Sequence, residues 1–320
     1  MTNKNRIQKP DSDSIRSAAD LLRDGNIVSF PTETVYGLGA DAKNGKAVAK
    51  IFAAKNRPDF NPLIVHLPDP SAAENYVHMN DVAKKLASAF WPGPFTMVLP
   101  LNEESGISDL ITAGLDTVAI RVPANEVAHQ LLKEFDGPIA APSANKSGHI
   151  SPTTANHVDG EFGDELEIII DGGPCNKGIE STIIQITDHD VVLLRPGSIT
   201  PEDIKNKTGI DVISSLTPTD NPVAPGQLKS HYAPNAKVRL NATGPNDGEA
   251  FLAFGETAHH ENMLNLSPTG DLEEAASNLF SMMRELDDLE LKTIAVSPIP
   301  QNGLGIAIND RLSRAAAPKE

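Results

Sequence analysis

The chain has 320 residues, 39% of them apolar, which predicts two domains with substantial cores, and no run of eighteen apolar residues that would span a membrane. Its formal net charge is −16 with the acidic excess in both halves, and cationic neutralisation of phosphate supplies most non-specific affinity for nucleic acid, so strong direct nucleic-acid binding is not expected. The single cysteine, Cys175, cannot form an internal disulfide and the N-terminus has no hydrophobic leader, which together predict a cytoplasmic protein.

In chain order, Ile15, Ala18, Ala19 and Leu22 define a first amphipathic helix that ends at Gly25. The stretch 29–58 organises the rest of the chain. It begins as an apolar strand (Ile27, Val28, Phe30) that breaks at Pro31, passes Thr32-Glu33-Thr34 and a Gly37-Leu38-Gly39 turn, and enters a helix with Val48, Ile51 and Phe52 at helical spacing. That helix is expected to deliver Lys55 and Arg57 to an exposed turn. A point charge and a bidentate fork two residues apart suit a polyphosphate; a solvated helix end is the alternative.

Strands are predicted at 63–67, 96–101, 118–122 and 168–171, with helices at 81–90 and 126–135. Residues 182–186 and 191–194 read as a hairpin around Asp188-His189-Asp190. Alternating strands and helices predict an α/β fold with a twisted mixed sheet over residues 1–210. The proline-rich stretch 211–236 reads as a linker and lid. Residues 237–320 read as a small Rossmann-like βαβ domain with short strands at 251–254, 263–266 and 293–296 and a last helix at 306–316. Its clearest helix, 271–289, carries Leu272, Ala276, Leu279, Met283 and Leu286 in one stripe, with Asp271 and Glu274 placed for a capping box.

Polar side chains recur where apolar strands meet loops: His66, Arg121, Ser143, Asn145, Ser181 and Arg195. Ligands of α/β sheets bind at such strand ends. Arg121, inside a five-residue apolar strand, requires an anion, either a substrate carboxylate or an internal Asp or Glu. His66 is by default a hydrogen-bonded core histidine. Ser143 and Asn145 share one face if the backbone is extended, and otherwise cap their loop. There is no Walker-type phosphate loop. Gly37-Leu38-Gly39-Ala40-Asp41-Ala42 matches the dinucleotide pattern, but lacks the acidic residue expected about twenty positions on. The histidines show no metal-site spacing, Cys175 has no evident base, and only magnesium carried with a nucleotide is expected.

The segments SFPTETVYGLGADA, KNRP with NPLIVHL, FWPGPFT, AIRVP, APSANKSGHISPTTA, GIESTII and LLRPG occur in that order. They closely resemble the YrdC-like domain of threonylcarbamoyl-AMP synthases, and HYAP at 231–234 with a small domain beyond resembles the long, two-domain form. The resemblance implies an enzyme that converts L-threonine, bicarbonate and ATP into threonylcarbamoyl-AMP and pyrophosphate. A downstream tRNA threonylcarbamoyl transferase then passes the group to an adenosine beside the anticodon. It implies that Lys55, Arg57, Ser143 and Asn145 form the family's KxR…SxN catalytic set. Asn61, Thr117, Ser151 and Arg195 join them around ATP, and Tyr232 covers the nucleotide. Thr34, His66, Arg121, the backbone at Ala141 and Ser181 are implied to hold threonine. Where many relatives read SPGMKYRHYAP this chain reads APGQLKSHYAP, so the tyrosine before the His-Tyr pair is absent. The rival readings are another carbamoyl-adenylate-forming enzyme and an RNA-binding YrdC-like module.

Overall fold

The computed structural model describes residues 6–187, 190–216 and 222–318. A short edge strand, β1 (Ile7–Gln8), precedes α1 (Ser12–Arg23), which is capped by Asp11 and buries the predicted Ile15, Ala18, Ala19 and Leu22. β2 (Val28–Phe30) and β3 (Gly37–Asp41) pair antiparallel with Ser29 opposite Leu38. The Gly37-Leu38-Gly39 segment, expected as a turn, is therefore a strand. Its glycines serve close packing: a Cβ on Gly39 would lie 2.8 Å from the Phe30 ring and 3.0 Å from Ile139. α2 (Gly45–Lys55) follows and is stopped by Asn56 in the left-handed conformation, φ 50°.

The alternation continues through β4 (Ile64–His66), α3 (Asp81–Phe90), β5 (Phe95–Pro100), the single turn α4 (Asp109–Thr112), β6 (Thr117–Arg121), α5 (Glu126–Phe135) and β7 (Ile139–Ala140). Then come α6 (Ala155–Phe162), β8 (Ile169–Ile170), the antiparallel pair β9 (Thr182–Ile186) and β10 (Val191–Arg195), α7 (Pro201–Thr208) and β11 (Ile213–Ser214). The bend of that hairpin at Asp188 and His189 lies outside the described residues, as do linker residues 217–221. Among the described residues these strands form one eleven-stranded sheet in the order β1-β8-β2-β3-β7-β4-β6-β5-β9-β10-β11. Parallel pairs such as β4–β6 and β5–β9 interleave with antiparallel ones, so the sheet is mixed, as the alternating pattern predicts. Side chains one residue apart point to opposite faces. Val28 and Phe30 thus join α1 and α5, while Leu38, Val65, Val118 and Ile120 face the side that carries α2, α3, α6 and α7.

The remaining elements are β12 (Lys237–Arg239), β13 (Ala250–Ala253), β14 (Met263–Asn265), α8 (Leu272–Asp287), β15 (Thr293–Val296) and α9 (Gly305–Ala315). Their strands make a parallel four-stranded sheet, order β12-β15-β13-β14. α8 buries Ala276, Leu279, Met283 and Leu286 of the predicted stripe. The capping box is only half formed. Asp271 accepts from the backbone N–H groups of Glu273 and Glu274, but the Glu274 carboxylate turns to Ser267, whose hydroxyl oxygen accepts from Asp271 N–H instead.

The two sheets do not have wholly separate cores. Val35, Ile150 and Ile179, on loops between elements of the first sheet, pack in one cluster with Tyr232 and with Leu279, Phe280 and Met283 of α8. The stretch read as a linker is partly core: Ile213–Ser214 adds a strand to the large sheet, and Ala224 and Tyr232 are fully buried. Among the described residues no helix is long and apolar enough to cross a membrane.

Candidate active site

Five strand ends of the large sheet converge on one cavity. β4 ends at His66 and β6 at Arg121, which are direct neighbours in the parallel register, and β7 leads into Ala141 beside them. β9 starts after Ser181 and β10 closes with Arg195. Nine of the expected residues line this cavity, which opens to solvent: Thr34, Arg57, His66, Arg121, Ala141, Ser143, Ser181, Arg195 and Tyr232.

Arg121 is 3% exposed. One terminal nitrogen donates to the Thr34 hydroxyl at 2.9 Å and Nε donates to the Gly93 carbonyl at 3.3 Å. The other terminal nitrogen lies 2.6 Å from a Glu33 carboxylate oxygen, yet neither it nor the Glu33 oxygens are aligned for a hydrogen bond. The anion that the strand requires is therefore internal, and donor capacity on the arginine remains. His66 is buried as the default reading has it, but its Nδ1 has no hydrogen bond of good geometry, and only the backbone at Ile64 and Ile139 lies near enough to act on the ring. Burial first, and the neighbouring Arg121 next, push its pKa down to about 3, so the ring is neutral near pH 7.

The cations nearer the linker are held by neutral oxygens. Arg57 donates to the carbonyls of Asn61 (3.1 Å) and Pro62 (2.8 Å), and Arg195 donates to the Ser181 carbonyl and hydroxyl, both at 3.1 Å. Ser181 also shares a 2.8 Å hydrogen bond with Thr96. Burial lowers both arginines from their ordinary values, although a guanidinium stays charged. Lys55 departs from the expected exposed turn: it is 1% exposed. Loop 143–147 folds over the end of α2, so the ammonium donates to the Ser143 carbonyl at 2.6 Å and to the Asn145 carbonyl. Burial, then the nearby Arg57, hold its pKa well below the usual lysine range.

The remaining expected residues stand behind the wall or away from it. Asn145 donates to the carbonyls of Lys146 and His149, capping its loop, and leaves its own buried side-chain oxygen unpartnered. Asn61 is buried with both amide atoms unpartnered. Ser151 donates to a carboxylate oxygen of Glu180. Thr117 is not brought to the cavity. It opens β6, four residues before Arg121, or about 13 Å along a strand that advances about 3.3 Å per residue. Cys175 is buried, its thiol pushed up to about 12 chiefly by burial, which leaves no thiolate near pH 7. Among the described residues no group of three or more His, Cys, Asp or Glu could hold a metal ion.

Residue-type reasoning missed four contributors. Glu33 is the partner of Arg121. Glu180 and His231 line the cavity inside segments that are recognisable, GIEST and HYAP. Arg311 reaches the cavity's outer side from α9. Tyr232, 1% exposed with φ 61°, both walls the cavity and docks the linker, its ring 5.5 Å from that of Phe280 and nearly parallel to it.

Residues 20–197 match the family model described as Telomere recombination, and residues 199–317 match that of the Threonylcarbamoyl-AMP synthase C-terminal domain. The chain is 41% identical to the threonylcarbamoyl-AMP synthase of Pyrococcus abyssi, over 94% of each chain. The chain belongs to the threonylcarbamoyl-AMP synthase family. A second family member, from Bacillus subtilis, is 40% identical over 94% of this chain and 92% of its own length. In structure, the fold matches P. abyssi Sua5 complexed with L-threonine with a TM-score of 0.87 and 94% of each chain covered.

Proposed function

We propose that this protein is an L-threonylcarbamoyladenylate synthase, a nucleotidyltransferase that makes threonylcarbamoyl-AMP and pyrophosphate from L-threonine, bicarbonate and ATP. The observation that carries the reading is the division of the cavity. Arg121, with Thr34, His66, Ala141 and Ser181, makes a small polar corner suited to an amino acid. Arg57 and Arg195, held only by neutral oxygens among the described residues, leave positive charge for a polyphosphate. In this reading the threonine carboxylate takes the free donor capacity of Arg121. Arg57, Ser143 and Arg195 face ATP, and Asn61, Asn145, Ser151 and the loop that Lys55 fixes support them from behind the wall.

The chemistry asks little of acids and bases. Threonine's amine adds to bicarbonate with loss of water, giving an N-carboxylate. One oxygen of that group attacks the α-phosphorus, and the bond to the pyrophosphate oxygen breaks. Magnesium carried by the nucleotide would neutralise charge on the leaving pyrophosphate, with no ligand cluster of the chain's own among the described residues. The chain contributes position, fixed positive charge and exclusion of water by Tyr232. A neutral His66 fits that division, since it supplies a dipole and not a proton. The product then serves a tRNA threonylcarbamoyl transferase in the cytoplasm.

Purified protein with ATP, magnesium, bicarbonate and L-threonine should release pyrophosphate and form an acid-labile adenylate. Serine should be poorer, since one methyl group in a fitted pocket discriminates by about 1–3 kcal/mol. Pyrophosphate release that ignores threonine would assign the site to a different carbamoyl-adenylate reaction, and RNA binding without any release would assign it to an RNA module.

A further inference from the structure

Arg311 belongs to α9, in the part of the chain that carries the four-stranded sheet, yet its side chain is fully buried against the first sheet's loops. Nε donates to Glu180 at 3.0 Å, and one terminal nitrogen donates to the Pro196 carbonyl at 2.7 Å and to Asp310 at 2.9 Å. The guanidinium carbon lies 5.3 Å from the centre of the Tyr232 ring, within cation–π range. Glu180 and Tyr232 are both walls of the cavity, whereas Arg311 itself does not line it. The second carboxylate oxygen of Glu180 accepts from Ser151. One side chain thus touches a cavity carboxylate and a cavity aromatic at once.

Charge explains why such a contact matters. Glu180 sits in the wall of a cavity otherwise furnished with Arg57, Arg121 and Arg195. An uncompensated carboxylate there would repel a polyphosphate and compete with it for those arginines. Arg311 neutralises it from behind and fixes it toward Ser151. A buried guanidinium is costly unless its partners are buried with it. Its pair with Glu180 and its bond to the Pro196 carbonyl, buried between the two parts of the chain, therefore tie α9 to the loops at 180 and 196 in one register, while Asp310 on the same helix steadies the guanidinium. The next turn of α9 reinforces the grip: Arg314 donates to the Leu228 carbonyl, and its own carbonyl accepts from His231 N–H at 3.3 Å.

We infer that Arg311 is a positioning residue for the nucleotide half of the site, holding Glu180 and Tyr232 in place from the second part of the chain. The inference rests on the adenylate-forming function proposed for the cavity. It gives the C-terminal part a task directed at the nucleotide half, because among the described residues no hydrogen bond or ion pair joins Arg311 to Thr34, His66, Arg121 or Ser181.

The test uses the full chain. Arg311→Lys keeps a charge for Glu180 but removes the planar fork and its cation–π contact with Tyr232. Glu180→Gln keeps the shape of the link to Ser151 and removes the charge. In threonine-dependent pyrophosphate release, Arg311→Lys should lower kcat/KM for ATP by about 10–100-fold, the scale of a site displaced by around an ångström. Its threonine Kd by calorimetry should stay within about twofold of wild type, since Ser181, the threonine-side neighbour of Glu180, keeps its own bonds to Thr96 and Arg195. Combining Arg311→Lys with Glu180→Gln should lose no more than the worse single change, because both act through one link. A folded Arg311→Lys protein with wild-type kcat/KM for ATP overturns the inference, and so does an equal fall in threonine affinity. If Arg311→Lys does not fold, Glu180→Gln decides by the same two measurements. A wild type that releases no pyrophosphate in response to threonine overturns the underlying function, whereas an active wild type with an indifferent Arg311→Lys overturns this inference alone.

Discussion

Arg121→Ala separates the structural from the ligand role of the sharpest residue in the chain. The side chains of Arg121 and Glu33 are 4% and 8% exposed and 2.6 Å apart. Removing one partner of such a pair leaves the other charge buried, a loss of about 3–5 kcal/mol. For domains of this size each kcal/mol lowers Tm by about 2–4 °C, so Arg121→Ala should melt about 6–20 °C below wild type. Threonine should lose charge-assisted hydrogen bonds worth about 1.5–3 kcal/mol, which weakens its Kd by about 10–150-fold. The companion variant, Arg121→Met with Glu33→Gln, removes both charges. It should recover most of the stability and none of the threonine affinity. Differential scanning calorimetry and threonine titration measure the two quantities separately. If the double variant binds threonine within twofold of wild type, Arg121 is a structural ion-pair residue and the amino-acid corner is wrongly drawn.

Three further changes probe other contacts. Gly178→Ala should destabilise the docking of α8 by about 2–5 kcal/mol, through overpacking and left-handed strain, because φ is +67° and the new Cβ would lie 2.3 Å from the Ser277 carbonyl oxygen; an unchanged melting temperature would refute that contact. Lys55→Met should lower kcat/KM by about 10²-fold by releasing the loop at 143–145, and full activity would show that this loop needs no tether. Acid should destabilise the fold through His66, whose native pKa near 3 lies below the unfolded value of 6.5: the unfolded chain takes up the proton first, so stability present above about pH 6.5 is lost as pH falls toward 3. The gap in Tm between wild type and His66→Asn should therefore shift against wild type from pH 7 to pH 5, a comparison that cancels the relief of the −16 net charge; a constant gap refutes it.

The sequence by itself determined the elements whose stabilisation is local and periodic. Residues 81–90 and 126–135 form helices with the bounds that their 3.6-residue apolar spacing and their flanking residues imply. The polar residues that interrupt apolar strands marked the strand ends, and His66, Arg121 and Arg195 do meet at one cavity. Two short helices, α6 and α7, escaped notice because each buries only two or three side chains and carries no long stripe. Only the tertiary structure decided the rest. The glycines at 37 and 39 look like a turn until the Phe30 ring that packs against them is known. Lys55 reads as a free cation until a loop ninety residues later covers it. The pairings of Arg121 with Glu33 and of Arg311 with Glu180 join residues 88 and 131 positions apart. An ion pair needs only opposite charges brought within a few ångströms, and no spacing or periodicity along the chain records which charges the fold will bring together.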